Sequence, residues 1–199
     1  MLVAVSGTIG AGKSTFCDDL GTNLGFGVVP EPVSDNPYLA DFYIDPERWA
    51  FSAQVFMVTH RFRRYLDVSK SEGGFLLDRC LFEDYVFAEV CKDMGYLTRR
   101  EWDTYCALQE SFLEVVPPPD VIVYLRVSPE TAARRIAARA RGMESAVSID
   151  YLRRLHHSYE EWIDRMRALT TVVAVDWSNF GDVSEVAKSL PERCRQFNI

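Results

Sequence analysis

The segment that most constrains the fold of this chain is Gly7-Thr8-Ile9-Gly10-Ala11-Gly12-Lys13-Ser14-Thr15, which fits the pattern GxxxxGK[ST]. It follows a short apolar run, residues 2–5, that predicts a buried strand. Helical spacing of apolar residues then begins at Lys13 and continues to about Leu24. A glycine-rich segment of this pattern between a strand and a helix predicts a phosphate-binding loop.

The residue types of the loop suit a nucleoside triphosphate. Glycines allow backbone N–H groups to turn towards phosphate oxygens, and the amino end of the following helix adds partial positive charge. Lys13 can reach the β- and γ-phosphates, and Ser14 can bind Mg²⁺. A glycine-rich turn without a ligand is the alternative, and the strand–loop–helix context argues against it. The loop is shared by GTPases, ATPases and kinases, so the reaction must be inferred from the acceptor side.

Further apolar runs predict four more strands, at residues 27–30, 75–77, 121–125 and 172–175. Between them, helical spacing predicts helices at 46–69, 81–94, 98–115, from Pro129, and at about 149–169. Continuous apolar strands that alternate with helices indicate a parallel sheet covered on both faces. We therefore predict an α/β fold with a five-stranded parallel sheet and a ligand crevice beyond the carboxyl ends of its strands.

Composition limits the partners and the compartment. With 199 residues, one domain over the whole chain is expected, and a net charge of -7 argues against nucleic acid or an anionic membrane as a partner. The five cysteines are scattered without metal-site spacing and predict buried thiols in a reducing compartment. Since an apolar strand starts at Leu2 and no run is long enough to span a membrane, we expect a cytoplasmic protein that binds a small molecule.

Charged residues follow two of the predicted strands. Glu31 lies between Pro30 and Pro32, which restrict the backbone on both sides, so its carboxylate is a candidate acceptor for the proton of an attacking hydroxyl. Asp78 ends the third strand and can organise Mg²⁺ or take that proton, while Arg79 can clamp the transferred phosphoryl group or hold the attacking oxygen. The alternatives are a solvated glutamate and a structural ion pair.

The long helix at 46–69 carries Gln54 and Arg61, seven residues apart and therefore on one face. A glutamine amide can donate to and accept from the edge of a nucleobase. An isolated helical glutamine more often faces solvent, so this assignment depends on the surrounding motifs.

Those motifs resemble the deoxynucleoside kinase family. The segments GTIGAGKST, EPV, YIDPERWAFSAQ, DRCLFED and RRIAARARGMES occur in the order and spacing of that family, from about residue 2 to residue 180. DNPYLADFY and the compact DRCLFED are most similar to the bacterial deoxyadenosine and deoxyguanosine kinases. The resemblance implies a P-loop kinase fold, an ATP-dependent transfer to the 5′-hydroxyl of a deoxynucleoside, a role in nucleotide salvage, Mg²⁺ as cofactor and a homodimer.

The resemblance also implies roles for individual residues. Glu31 and Arg79 would hold the 5′-hydroxyl, and Tyr43 and Glu144 the 3′-hydroxyl. Gln54 and Asp84 would bind the base, with Arg61 paired to Asp84. A base surrounded by Gln, Arg and Asp is typical of members that act on deoxyadenosine, deoxyguanosine or deoxycytidine. Phe87, one turn after Asp84, either stacks on the base or belongs to the core.

On the donor side, the resemblance implies a lid at about residues 134–147. Its arginines are Arg134, Arg135, Arg139 and Arg141, and Arg135 and Arg139 face one way because they are four residues apart. Such a face can close over the triphosphate and neutralise its charge. A charge run is otherwise a solvated face. Asp176 opens a loop that resembles the adenine-contacting segment of the family.

The sequence departs from the family at one catalytic position. Asp78 stands where the family often has Glu, so either Glu31 or Asp78 is the proton acceptor. Two alternative functions remain open. A nucleoside monophosphate kinase of the thymidylate-kinase type shares the loop and the lid, but Glu31 would repel its phosphorylated acceptor. A non-catalytic nucleotide-binding subunit would not require Lys13, Ser14, Glu31, Asp78 and Arg79 together.

Overall fold

A computed structural model describes residues 1–139 and 147–195, with the backbone alone for 191–195. Five parallel strands form one sheet in the order β2-β3-β1-β4-β5. The strands are β1 (Leu2–Ser6), β2 (Gly27–Val29), β3 (Phe75–Asp78), β4 (Val121–Arg126) and β5 (Thr171–Asp176). The predicted α/β fold with a five-stranded parallel sheet is therefore confirmed. Strand β2 ends one residue before the predicted boundary because Pro30 has no N–H to donate to the sheet.

Eight α-helices are present in the described part of the chain. They are α1 (Lys13–Leu24), α2 (Leu39–Ile44), α3 (Pro46–Ser69), α4 (Asp84–Asp93), α5 (Arg99–Leu113), α6 (Pro129–Arg139), α7 (Ile149–Met166) and α8 (Val183–Arg195). The bounds of α1 and α3 agree with the predicted ones. Helices α2 and α8 were not predicted, since α2 has only six residues and Pro191 interrupts the apolar pattern of α8.

Several helix boundaries differ by one to three residues from the approximate ones predicted. The helix expected at 81–94 begins with a 3-10 turn, Leu81–Glu83, because Arg79 adopts a left-handed backbone and Cys80 an extended one before it. Helix α5 starts after Thr98, which caps it through reciprocal hydrogen bonds with Glu101. Helix α7 ends at Met166, three residues before the predicted boundary.

Two apolar clusters cover the two faces of the sheet. On one face, α3, α4, α5 and α7 pack around Tyr65, Tyr105 and Tyr159, which are almost entirely buried. On the other face, α1, α6 and α8 pack around Phe16 and Leu20. The sheet strands are nearly continuous apolar runs because both of their faces are covered. None of the described helices combines the length and the apolar character needed to cross a membrane.

The register of the central strands positions the polar residues that follow them. Val5 of β1 lies opposite Asp78 of β3, and Val29 of β2 lies opposite Leu77. The residues after β1, β2 and β3 therefore meet at one edge of the sheet. This edge carries the phosphate loop, Glu31 and Arg79.

The cysteine prediction holds for part of the chain. Cys17, Cys80 and Cys91 are buried free thiols, whereas Cys106 is only partly buried. The expectation of a buried thiol was therefore wrong for Cys106, which lies on the outer side of α5. The side chain of Cys194 lies outside the described residues.

Candidate active site

The phosphate loop needs its glycines for close backbone approaches. Gly7, Gly10 and Gly12 all have positive φ angles. A Cβ atom on Gly7 would lie 2.8 Å from the Leu125 carbonyl oxygen, and one on Gly10 would lie 2.7 Å from that of Ala132. Any larger residue would therefore open the loop.

Lys13 is buried at the start of α1, and its Nζ donates a hydrogen bond to the carbonyl oxygen of Thr8 at 3.0 Å. Burial and the nearby charge of Arg79 lower the pKa of Lys13 to about 8. The lysine thus lies inside the loop that the sequence predicts to bind phosphate.

Ser14 and Asp78, the two predicted metal ligands, are in direct contact. The Ser14 Oγ donates to the Asp78 Oδ2 at 2.6 Å, and the other carboxylate oxygen of Asp78 is buried without a hydrogen-bond partner in the described structure. A hydroxyl and a carboxylate with an unpaired oxygen suit a hard divalent cation such as Mg²⁺. No cluster of three acidic, His or Cys ligands occurs among the described residues, so the remaining ligands of such an ion would come from phosphate and water.

Glu31 is held by two arginines. Arg61 and Arg79 both contact its Oε1, Arg61 through a hydrogen bond and Arg79 through a charge contact of 2.8 Å from Nε. Burial alone would raise the pKa of Glu31, but the charges of Arg79, Arg61 and Lys13 outweigh it and hold this pKa at about 2. The carboxylate is therefore ionised at neutral pH and lies beside the phosphate loop.

Arg79 has an unusual backbone and a fully enclosed side chain. Its φ angle of 72° lies in the left-handed region, at a cost of about 1–2 kcal/mol for a residue with a side chain. Its Nη1 donates to the carbonyl oxygen of Gly7 at 2.9 Å, to Glu83 at 3.1 Å and to the Tyr159 hydroxyl at 2.7 Å. The guanidinium also lies over the ring of Phe87, 4.6 Å from its centre. These contacts offset the backbone strain.

The residues predicted to bind a base lie on α3 and α4 in the described part of the chain. Arg61 forms an ion pair with Asp84, which is 1% exposed, so one arginine bridges Asp84 and Glu31. Gln54 lies on the same face of α3 and its Nε2 donates to the Cys91 sulfur at 3.8 Å. Phe87 packs edge-on against Tyr159 as well as under Arg79, so it is part of the core at this site.

On the opposite side of the phosphate loop, Arg135 of α6 binds the loop itself. It donates to the carbonyl oxygens of Ala11 at 3.2 Å and Trp177 at 2.7 Å. Its guanidinium lies 4.1 Å from the ring centre of Phe180, which also lies above Gly12. Arg135 thereby connects the predicted donor site to the segment after β5.

The other donor-side predictions have simple locations. Asp176 ends β5, and hydrogen bonds from the side chain and the backbone N–H of Ser178 lower its pKa. Arg134 and Arg139 are exposed on α6. Arg141, Glu144 and most of the second half of the predicted lid lie outside the described residues. Tyr43 is half-buried on α2, beside Phe42.

Three residues at this edge were missed by the sequence analysis: Glu83, Tyr159 and Phe180. Glu83 had a usable signal, because it is four residues after Arg79 in the segment DRCLFED. No sequence signal pointed to Tyr159, since it is 80 residues from Arg79 along the chain. Phe180 had none either.

These features together define a phosphate-loop phosphotransferase. The phosphate loop lies at the edge of a parallel sheet beside the Ser14–Asp78 pair, and a carboxylate held by arginines faces it. A family model described as "Deoxynucleoside kinase" matches residues 3–198. The chain belongs to the deoxynucleoside kinase family. It is a kinase that takes its phosphoryl group from a nucleotide donor and transfers it to a deoxynucleoside, as the sequence resemblance predicted.

The chain is similar over most of its length to proteins that are named as deoxynucleoside kinases. The chain is 36% identical to deoxyadenosine kinase of Dictyostelium discoideum over 188 residues, 94% of this chain and 77% of the relative. It is 38% identical to deoxyadenosine/deoxycytidine kinase of Bacillus subtilis (strain 168) over 170 residues, 84% and 78% of the two chains. A structure of deoxyadenosine kinase from M. mycoides with bound dATP superposes with a TM-score of 0.85 at 31% identity, covering 98% of this chain and all of that one.

Proposed function

We propose that this enzyme transfers the γ-phosphoryl group of ATP to the 5′-hydroxyl of deoxyadenosine, deoxyguanosine or deoxycytidine. The observation that carries the proposal is Glu31, an ionised carboxylate held between Arg61 and Arg79 next to the phosphate loop. A carboxylate at that place can accept the proton of a hydroxyl. It would repel a phosphorylated acceptor, which argues against a monophosphate kinase.

The contacts of the two carboxylates support different tasks for them. Asp78 is bonded to Ser14 and belongs to the donor side, whereas Glu31 faces the arginines of the acceptor side. We therefore assign Glu31 as the proton acceptor and Asp78 with Ser14 as the holders of Mg²⁺. Its low pKa makes Glu31 a weak base, which is sufficient where phosphoryl transfer is largely dissociative and depends mainly on positioning.

The bound Mg²⁺ would neutralise charge on the phosphate oxygens. The residues of the chain do the remaining work. Lys13 and the backbone of residues 7–15 hold the phosphates, and Arg79 holds the 5′-oxygen with Glu31. Arg135 and Arg139 of α6 and Asp176 at the end of β5 would cover the donor, together with Arg141, which lies outside the described residues.

The acceptor pocket is formed by residues from several helices. Gln54, Arg61 and Asp84 would bind the base, Phe87 would form its wall, and Tyr43 with Glu144 would hold the 3′-hydroxyl. The relatives are named for activity on deoxyadenosine, deoxyguanosine and deoxycytidine, which supports the base of one of these as the one bound here. The buried charge of the Arg61–Asp84 pair suits such a base.

We also propose that the chain forms a single kinase domain, acts in the cytoplasm in nucleotide salvage and forms a homodimer. The family model covers residues 3–198, which supports one domain. Half-buried aromatic residues, Tyr85 of α4 and Trp102 of α5, lie in contact at the surface and support an apolar face for a second copy. The net charge of -7 is consistent with small-molecule substrates.

The test is an activity panel with Mg²⁺-ATP and each natural deoxynucleoside or its 5′-monophosphate, following ADP release and product. We expect deoxynucleoside 5′-monophosphates from the purine substrates or deoxycytidine, and a loss of about 10²–10³-fold in kcat/KM for Lys13→Ala. Lys188→Ala is the matched control, because Lys188 is exposed and paired with Glu185 on α8. Turnover of monophosphates alone, or ATP binding without any transfer, would contradict the proposal.

A further inference from the structure

Arg79 is the one non-glycine residue with a positive φ angle in the described part of the chain. Backbone strain of this kind persists at functional sites when surrounding contacts fix the residue. The backbone N–H of Arg79 donates to the Val5 carbonyl oxygen at 3.0 Å, which ties it to the end of β1. The direction of its side chain must then be set by whatever its guanidinium contacts.

The two ends of the guanidinium have different partners. Nε faces the Oε1 of Glu31 at 2.8 Å, whereas Nη1 is shared between Gly7, Glu83 and Tyr159. Nη1 is therefore drawn to the side opposite Glu31 by a backbone carbonyl, a carboxylate and a hydroxyl. Because the guanidinium is planar and rigid, the contacts of Nη1 also fix the direction of Nε, and without them the whole group could turn out of line with Glu31.

Glu83 and Tyr159 are built into the core for this contact. Both are 0% exposed, and a buried carboxylate is tolerated only when it is paired. The partner of Glu83 among the described ion pairs is Arg79. The Tyr159 ring is fixed by Tyr124, whose ring centre is 5.8 Å away, and by Trp162 at 6.0 Å, so its hydroxyl has little freedom to move.

We infer that Glu83 and Tyr159 are positioning residues that fix the guanidinium of Arg79 through its Nη1, so that its Nε faces Glu31. The inference rests on the proposed function, in which Arg79 holds the 5′-oxygen and Glu31 accepts its proton. In this arrangement Glu31 contacts the Nε edge of Arg79, and its carboxylate can still accept a hydrogen bond from the substrate hydroxyl. Loss of either positioning residue should slow the transfer step without weakening ATP binding.

The test uses Tyr159→Phe, which removes one hydroxyl, and Glu83→Gln, which removes a charge at nearly constant volume. We expect each to lower kcat about tenfold, the value of one hydrogen bond to a charged group, with KM for ATP changed less than twofold. Tyr124→Phe is the matched control. Tyr124 is equally buried and stacks on Tyr159, but its hydroxyl donates to Glu160 at 2.9 Å and not to the Arg79 network. It should lose as much thermal stability and keep its kcat.

A double-mutant cycle separates positioning from a structural role. In an Arg79→Lys background there is no guanidinium to hold, so adding Tyr159→Phe should lower kcat less than twofold further. A repeated tenfold loss in that background would overturn the inference, as would an unimpaired Tyr159→Phe enzyme beside a slow Arg79→Lys enzyme. A wild-type kcat for Arg79→Lys would instead remove Arg79 from the proposed function, and the positioning role with it. If Glu83→Gln does not fold, the Tyr159 cycle alone decides.

Discussion

The donor side and the acceptor side of this active site are built in different ways. The proposed donor side consists of the phosphate loop and α6, which present backbone groups and arginines that are not fully buried, such as Arg135 in contact with Ala11 and Trp177. The acceptor side is a buried network in which Arg61 and Arg79 neutralise the carboxylates around them. Its members come from the segment after β2, from α3, from the turn after β3 and from α7.

The difference has an electrostatic reason. A triphosphate brings its own charge, so the donor side must supply positive groups that stay available until it binds. A deoxynucleoside is neutral, so the acceptor side must neutralise its own charges before the substrate arrives. Substitutions on the acceptor side should consequently affect both catalysis and stability, whereas those on the donor side should affect stability much less.

The largest expected effect is that of Glu31→Gln on catalysis. The substitution keeps the volume but removes the proton acceptor and the partner of two arginines. We expect kcat to fall by about 10²–10⁴-fold, the usual contribution of a general base, while KM for ATP stays within a factor of about three. Steady-state kinetics with the preferred deoxynucleoside measures both values.

Asp35→Asn is the matched control for Glu31→Gln, since Asp35 is a nearby exposed carboxylate paired with Arg64. It should keep nearly full activity. A Glu31→Gln enzyme that loses ATP affinity rather than kcat would show that Glu31 serves the donor side. It would contradict the assignment of Glu31 to the acceptor side.

The two sides also differ in how far they could be predicted from the sequence. The phosphate loop is contiguous, so its residues and the helix that follows were predicted from local pattern alone. Glu31 and Arg79 were singled out because each follows a predicted strand, whereas the role of Asp84 came from the family resemblance. Tyr159 could not be predicted, because buried aromatic residues on an amphipathic helix are ordinarily core residues, and only the packing of α7 brings its hydroxyl to Arg79.

The fold shows the same limit. Continuous apolar strands predicted a parallel sheet, but a strand buried on both faces carries no alternation from which its neighbours could be inferred. The order β2-β3-β1-β4-β5 therefore required the structure. The short α2 was missed for a related reason, since six residues are too few to display helical periodicity.

The second prediction compares stability on the two sides. Arg61→Met leaves Asp84 buried without its cation and leaves Glu31 with Arg79 alone, and should lower the free energy of unfolding by about 3–5 kcal/mol. Arg135→Met removes half-exposed hydrogen bonds to carbonyl oxygens and should cost about 1 kcal/mol. Urea unfolding followed by tryptophan fluorescence measures both. Equal losses would mean that the acceptor network does not stabilise the fold more than the donor contacts do.

The smallest effect, and the one most specific to the acceptor side, is a pH dependence of stability. The folded-state pKa of Glu31 is about 2, below the ordinary value of 4.5, so its ionised form stabilises the fold above pH 4.5 and this stabilisation is lost as the pH falls towards 2. Arg79, Arg61 and Lys13 cause the shift by outweighing the effect of burial.

The pH effect is measured as the difference in unfolding free energy between the wild type and Glu31→Gln. That difference should shrink by about 2 kcal/mol between pH 6 and pH 3, because the unfolded glutamate takes up its proton in this range while the folded one remains ionised. Asp176→Asn serves as the donor-side comparison. Asp176 is exposed, and its pKa is lowered by hydrogen bonds from Ser178 and to a smaller extent by the charge of Arg126, so solvent screening should leave its difference almost constant over the same range. A constant difference for Glu31→Gln as well would show that the two arginines do not hold its charge in the folded protein.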